Sequence, residues 1–344
     1  MDICTKQYEL IRTALVPLIN NDYIFIDLPY YSNIGDSLIW KGTETLLATL
    51  PYKCLYKASC KTFKHIDIPE NVIIIMMGGG NWGDLYLIHN EFRRKIVQSY
   101  PNNKIVILPQ TIYYEGARNA RFDAKVFRKH KRLTIFARDK YSYWFLKLFR
   151  FGKNIRLLPD MAFCIDRKWL SSLTVPTIGK DLLFQRTDKE KPNPNDAYRD
   201  LTKKEYDISD WPLYGQHDPM LTHLNELIAE GKMEEADDYA TNTYLQERIK
   251  TGVRFISQYD HVYSNRLHGA ILSILLGKET YIIDNSYGKN SQFYDTWLKD
   301  TDGVTLLKRK KESNIRRKLR FVYHWLKSQT NIISLRSKHL QLYS

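Results

Sequence analysis

The chain has 344 residues, 43% of them hydrophobic and 26% charged, with no run near 18 consecutive apolar residues. It reads as a soluble globular protein, long enough for two domains and without a helical membrane span. Fifty-two Lys and Arg against 38 Asp and Glu give a formal net charge of +14, which points to an anionic partner: nucleic acid, a lipid surface or a phosphorylated substrate.

The placement of the charge narrows that choice. From residue 308 onward eleven cations face one acid, Glu312, a local +10, so the first 307 residues carry only +4. The opening MDICTKQYEL has neither the basic nor the apolar region of a signal peptide, which predicts a cytoplasmic location. Cys4, Cys54, Cys60 and Cys164 lie far apart without a C-x-x-C pair and read as free thiols.

In chain order, short apolar runs rich in β-branched residues predict buried strands at 23–29, 71–77, 104–110, 132–138 and 154–160. Amphipathic segments at 36–50, 84–100 and 139–149 predict helices, each opened by an Asp able to cap free N–H groups. Strand and helix alternating at this spacing imply a parallel, doubly wound sheet, whose function gathers at the carboxyl ends of its strands. A second block begins with the strand 181–186. The polar stretch that follows, TDKEKPNPNDAYRDLTKKEYDISDWP, reads as a long surface loop, either a disordered insertion or an active-site flap. Helices are expected at 220–229, 236–257 and 267–276, with strands at 261–265 and 279–285. The whole reads as two α/β domains facing a cleft.

Three segments carry candidate chemistry. Asn33-Ile34-Gly35-Asp36-Ser37 lies between a strand and a helix, where Asn33, Asp36 and the helix N-terminus can orient a polar ligand; a plain capped turn is the competing reading. Gly78-Gly79-Gly80-Asn81-Trp82-Gly83-Asp84 follows an apolar strand. Its glycines let a ligand approach the backbone, and Trp82 beside Asp84 suggests a sugar-ring surface with a base next to it, although a structural turn would also use glycine. It matches neither a dinucleotide nor a P-loop fingerprint. Ser264-Asn265-Arg266-Leu267-His268-Gly269 offers a guanidinium fork for carboxylate or phosphate and a proton-transferring imidazole at a helix start. Arg186 at a strand end and Lys289 after the last strand are further anion contacts, or else solvated polar positions. Arg138-Asp139 is expected to be a structural cap. No residue cluster has metal-ligand spacing, and no metal is expected.

Taken together, NIGDSLIWKGTETLL, IMMGGGNWGDLY, ILPQTIYY, FARDKYSYWFL, LLPDMAF and HVYSNRLHGAILSILLGKETYIIDNSYGKNSQFYDTW resemble the polysaccharide pyruvyl transferase family, in the family's order and over roughly residues 30 to 300. The resemblance implies two Rossmann-like domains in a GT-B-like arrangement, here an acceptor-side domain at 1–170 and a donor-side domain at 171–305; the polar insertion at about 187–220 and the basic amphipathic segment at 306–344 are not covered by it. It implies phosphoenolpyruvate as co-substrate, no cofactor, and a hydroxyl pair of a galactose-type, lipid-linked acceptor that becomes a pyruvate ketal in capsule or exopolysaccharide synthesis. By that likeness Arg266 and His268 belong to the phosphoenolpyruvate site, with Arg186 as a second anion contact and Asp84 from the facing domain. The residue chemistry makes His268 and Asp84 the catalytic acid and base, and Lys289, Asp36, Asn33, Gly79, Gly80, Asn81 and Trp82, from their places after strand ends, join Arg266 and Arg186 as expected substrate-binding residues. The basic tail, with aromatic residues after its eight cations at 308–320, is expected to hold the inner face of an anionic membrane; packing back on the domains is the alternative. A nucleotide-sugar glycosyltransferase of the same architecture is the main rival. A nucleic-acid-binding protein is disfavoured because no such motif is recognisable.

Overall fold

A computed structural model describes residues 1–188, 190, 201, 205–286 and 288–307. The basic tail therefore lies outside the described residues, as does the middle of the polar insertion.

Two wholly parallel sheets are present. The first contains β1 (Tyr23–Ile26), β2 (Cys54–Ala58), β3 (Ile73–Met76), β4 (Gly79–Gly83), β5 (Ile105–Tyr113), β6 (Leu133–Ala137) and β7 (Asn154–Leu157), in the order β2-β1-β3-β5-β6-β7 with β4 also paired to β5. Helices α1 (Ile3–Leu15), α2 (Ile34–Leu47), α3 (Leu87–Ser99), α4 (Ala117–Phe127), α5 (Lys140–Phe149) and α6 (Arg167–Ser172) accompany it. The second sheet runs β12-β11-β10-β8-β9, from β8 (Asp181–Phe184), β9 (Tyr206–Ser209), β10 (His261–Ser264), β11 (Glu279–Ile282) and β12 (Val304–Leu306). Its helices are α7 (Pro219–Ala229), α8 (Met233–Tyr239), α9 (Leu245–Ser257), α10 (Leu267–Leu275) and α11 (Lys289–Phe293). These are two Rossmann-like α/β units, as the strand–helix alternation predicts.

All the strands anticipated from apolar runs are present, and besides β4 three others are not anticipated: β2, β9 and β12. Each sits at a sheet edge and is only partly buried, so none shows the continuous apolar run of a central strand. The triple-glycine loop is corrected to a strand. Residues 79–83 form β4, which pairs with the second half of β5, while β3 pairs with the first half. Glycine is required for this approach: a Cβ at Gly83 would lie 2.0 Å from the Tyr113 carbonyl oxygen, and Gly83 has φ +112°.

The helix starts are also adjusted. Asn33, not Asp36, caps α2, its Oδ1 accepting from the Gly35 N–H at 3.1 Å. Asp84 does not open α3, which begins at Leu87 without a side-chain cap. Asp139 does cap α5, accepting from the Ser142 N–H at 2.7 Å, as expected.

The units share a core. One apolar cluster runs from Phe25, Leu38 and Trp40 to Leu182, Ile249 and Ile271, while a second lies on the other face of the first sheet beneath α3, α4 and α5. Polar bonds add to the joint: Tyr30 Oη donates to Asp237 at 2.8 Å, and Tyr244 Oη to the Tyr31 carbonyl at 3.0 Å. The N-terminal helix also reaches the second unit, where Gln7 Nε2 donates to the Trp297 carbonyl at 3.2 Å.

Helix α2 lies against residues 161–164 so closely that a Cβ on Gly42 would fall 2.0 Å from the Met161 carbonyl oxygen. Because that obstacle is backbone, Gly42→Ala should destabilise the protein by about 1–3 kcal/mol, read as a lowered unfolding midpoint in denaturant.

Candidate functional site

In an open parallel sheet, the connections leaving two adjacent strands diverge where the strand order reverses, opening a crevice at their carboxyl ends. In the first sheet that point lies between β1 and β3, and its crevice is walled by the 31–36 turn and by Gly80 and Asn81. In the second it lies between β8 and β10, and the loops leaving those strands carry Arg186, Arg266 and His268. The crevices face each other across one cavity of about 240 Å³, lined by Tyr31, Asn33, Asp36, Gly80, Asn81, Tyr86, His89, Arg186, Asp188, Glu190, Tyr214, Arg266, His268 and Lys289 among others.

Both arginines are nine-tenths buried or more and already hold carboxylates. Asp188 takes two hydrogen bonds from Arg186, at 2.8 and 2.9 Å, and Glu190 a third at 2.9 Å. Arg266 grips Asp210 with two nitrogens, approaches Asp188 at 3.3 Å and stacks over the Tyr214 ring at 4.3 Å. Asp188 therefore sits between two guanidiniums. Burial opposes its ionisation, but Arg186 and then Arg266 outweigh that and hold its carboxyl well below the usual carboxylate range. Lys289 Nζ lies 3.7 Å from Glu190, and burial lowers its ammonium below the usual lysine range.

His268 joins the two units. Its Nε2 lies 3.2 Å from Asp160 Oδ2 and 3.3 Å from Arg138 Nη1, and Arg138 donates to Asp160 at 2.6 Å. Burial opposes ionisation of Asp160, yet His268 and Arg138 keep it well below the ordinary range. The other ring nitrogen faces α2, where a Cβ on Gly35 would stand 2.6 Å from Nδ1. At Gly80 a Cβ would meet Lys289 Nζ at 2.6 Å, so a side chain there would push the ammonium from its place.

On the opposite wall Asp36 Oδ2 accepts from Tyr31 Oη at 3.0 Å and from Asn33 Nδ2 at 2.8 Å. Asn81 Oδ1 accepts from Arg93 Nη2 at 2.6 Å. In and behind this wall His89, which lines the cavity, and Asp27 and Cys60 bring possible ligand atoms within 4.8 Å of one another, a cluster that sequence spacing did not reveal. Asp27 is already paired with Arg93 at 2.6 Å and with His89 at 2.7 Å. The group is thus a compensated ion-pair network, and a metal would have to displace a guanidinium.

Of the residues singled out from sequence, Arg186, Arg266, His268, Lys289, Asp36, Asn33, Gly80 and Asn81 line the cavity. Gly79 stands just behind, where its Cβ would lie 3.3 Å from Asp36 Oδ1. Two expectations are corrected. Asp84 is not among the lining residues: its carboxylate accepts from the Glu115 N–H at 2.8 Å and from Asn119 at 2.9 Å, holding the β5–α4 loop. Trp82 offers no sugar-ring surface, being 1% exposed, packed on Phe127 and bonded to Tyr114 Oη. Both follow from β4 being a strand, whose pairing with β5 turns them from the cleft. Conversely Asp160, Arg138, Asp188, Glu190 and Asp210 were not anticipated here. Arg138 and Asp160 follow the ends of β6 and β7, so a rule that every such position faces a crevice would have found them.

A two-domain α/β protein with a cation-rich interdomain cleft is thus defined. Residues 33–287 match the family model described as polysaccharide pyruvyl transferase. The chain is 36% identical over 318 residues to the putative pyruvyl transferase EpsO of Bacillus subtilis, covering 89% of this chain and 91% of that protein. It is 28% identical to pyruvyl transferase 1 of Schizosaccharomyces pombe, over 82% and 71% of the two chains. The crystal structure of a functionally uncharacterised Klebsiella pneumoniae protein superposes with a TM-score of 0.60 at 20% identity, over 90% of this chain and 99% of that one, in accord with the fold. The chain belongs to the polysaccharide pyruvyl transferase family, and is accordingly a transferase of polysaccharide biosynthesis.

The network behind the wall has a pH signature. Burial lowers His89, but Asp27 and Cys60 raise it on balance to about 9. A folded pKa above the unfolded value of about 6.5 gives stability that is full below that pH and is lost as pH rises through 9. Unfolding free energy should therefore fall by on the order of 3 kcal/mol between pH 6.5 and 10, and most of that slope should vanish in His89→Gln, measured by denaturant melts across this range.

Proposed function

We propose that the cavity binds phosphoenolpyruvate and transfers its enolpyruvyl carbon to two hydroxyls of a sugar, giving a pyruvate ketal and inorganic phosphate. The observation that carries this reading is the convergence of Arg186, Arg266, Lys289 and His268 on one cavity from the ends of adjacent strands. A ligand with a phosphate at one end and a carboxylate at the other needs cations from more than one direction, and planar guanidinium forks suit both groups. Arg266 and Arg186 take the two anionic ends, with Lys289 as third cation.

Chemically, the methylene carbon gains a proton, positive character develops at the adjacent carbon, and one sugar hydroxyl attacks there. The bond to the phosphate oxygen then breaks, and the second hydroxyl closes the ring. Of the two hydroxyl protons released, one balances that placed on carbon and the other leaves with phosphate. His268 supplies the proton, with Asp160 and Arg138 fixing its ring. The base belongs on the facing wall, and with Asp84 elsewhere Asp36 is the carboxylate lining that wall. No cofactor enters the scheme. The acceptor is a galactose-type residue of a lipid-linked oligosaccharide in capsule or exopolysaccharide synthesis, met at the inner face of the cytoplasmic membrane, where the tail beyond residue 307 attaches.

Incubation with phosphoenolpyruvate and lipid-linked oligosaccharide should yield a product heavier by one pyruvate ketal in mass spectrometry. Arg266→Lys should lower kcat/KM at least about 100-fold through loss of the bidentate fork, and His268→Ala should lower kcat; wild-type turnover by His268→Ala would sink its assignment. Transfer from a nucleotide sugar with none from phosphoenolpyruvate would favour the glycosyltransferase alternative.

The carboxylates on the arginines make a separate, opposite prediction. An anionic donor must displace Asp188 from between the two guanidiniums, so Asp188→Asn should lower the KM for phosphoenolpyruvate by roughly threefold or more. An unchanged or raised KM in steady-state assays would show that Asp188 stays in place when the donor binds.

A further inference from the structure

The near-neutral body of the chain is strongly polarised. Residues 117–156 hold thirteen Lys or Arg and two acids. Twelve of the cations are exposed, all but Arg138, whereas both acids, Asp123 and Asp139, are buried. Asp123 is turned inward onto Arg94, Asn90 and Tyr114, and Asp139 onto Thr111 and Ser142. This stretch therefore shows solvent no negative side chain, and the rest of the first 307 residues is net acidic.

Exposed apolar side chains stand among these cations. Trp144 and Leu148 on α5 are 63% and 61% exposed, and Phe122 on α4 is 59% exposed. Trp144 and Leu148 are one helical turn apart, and Lys140 and Lys147 share their stripe of α5. On α4, Arg118, Arg121 and Lys125 are exposed around Phe122. The inward faces of both helices close the core beneath the first sheet through Ala120, Ala124, Phe127 and Leu146. Phe122, Trp144 and Leu148 are not members of that core: Trp144 touches it through Tyr143, edge-on at 5.0 Å, and Phe122 lies under the Arg94 guanidinium at 5.4 Å.

We infer that the outer face of α4 and α5 is a docking surface for an anionic lipid bilayer, separate from the basic tail. Large apolar groups projecting from a cationic surface are the chemistry of an interfacial helix face: the apolar groups enter the boundary of the acyl region while the cations meet lipid phosphates. Each cation near such a surface strengthens the attachment. The alternatives fit less well. A second copy would bring like charge against like charge, and the tail, at +10, would be repelled from the same face. A nucleic acid would satisfy the cations but leave Leu148 without a use. The inference does not depend on the identity of the donor.

Flotation of the full chain tests it, using phosphatidylcholine vesicles with and without about one-third phosphatidylglycerol. Wild type should float with the anionic vesicles only. Trp144→Ala with Leu148→Ala, and separately Lys140→Glu with Lys147→Glu, should each lower the partition coefficient about tenfold or more, with unfolding midpoints unchanged and the tail intact. Wild-type flotation by both double variants would overturn the proposal, since the tail would then account for binding. So would failure of wild type to float while it binds duplex nucleic acid through these residues.

Discussion

The interdomain cleft depends on fixed charges that can be buried only in compensating sets. Arg138, Asp160 and His268 form one such set across the joint, and Arg186, Arg266, Asp188, Glu190 and Asp210 another at its mouth. Removing one member of a buried pair costs about 3–5 kcal/mol, because the other is left uncompensated in a low-dielectric site. The apolar cluster that joins the two units supplies adhesion, but it has little directionality. The contacts of His268 with Asp160 and Arg138 fix the register across the joint, since they must meet within hydrogen-bond distance, whereas the set at the mouth orders the second unit's own wall.

That arrangement explains how a polar cavity persists between two well-packed units. The glycines serve the same end by allowing contact rather than by freeing the chain. Gly35 lets His268 lie against the first turn of α2, and Gly80 lets Lys289 reach the facing wall. In each case a residue of the first unit gives up its side chain so that a charged or proton-carrying group of the second can approach. Asp188 completes the logic by lying between two neighbouring cations and offsetting their repulsion.

Charge is also organised on a larger scale. Cations that face the cleft are paired, whereas those of residues 117–156, Arg138 excepted, stand on the outside of the first unit, and the two acids of that stretch are turned inward. Paired cations hold geometry and can exchange one anion for another; an unpaired field acts at a distance on whatever surface approaches it. One chain thus separates recognition of a small anion from recognition of a surface, and the formal net charge describes neither.

Short β-branched apolar runs alternating with amphipathic segments made the central strands and the α/β class legible in the sequence, and motifs in a fixed order made the family legible. The sequence also marked Arg186, Arg266, His268 and Lys289, since residues that follow strand ends face the crevice of such a sheet. Three of the four edge strands, β2, β9 and β12, stayed hidden because their half-exposed side chains carry no continuous apolar signal. The tertiary structure decided the rest. Pairing of β4 with β5 withdrew Trp82 and Asp84 from the cleft, and only packing of the two units brought Asp160 and Arg138, more than a hundred residues away in the chain, onto His268. Composition fixes how many charges there are, but burial decides which of them must be paired, and that depends on contacts that sequence spacing does not encode.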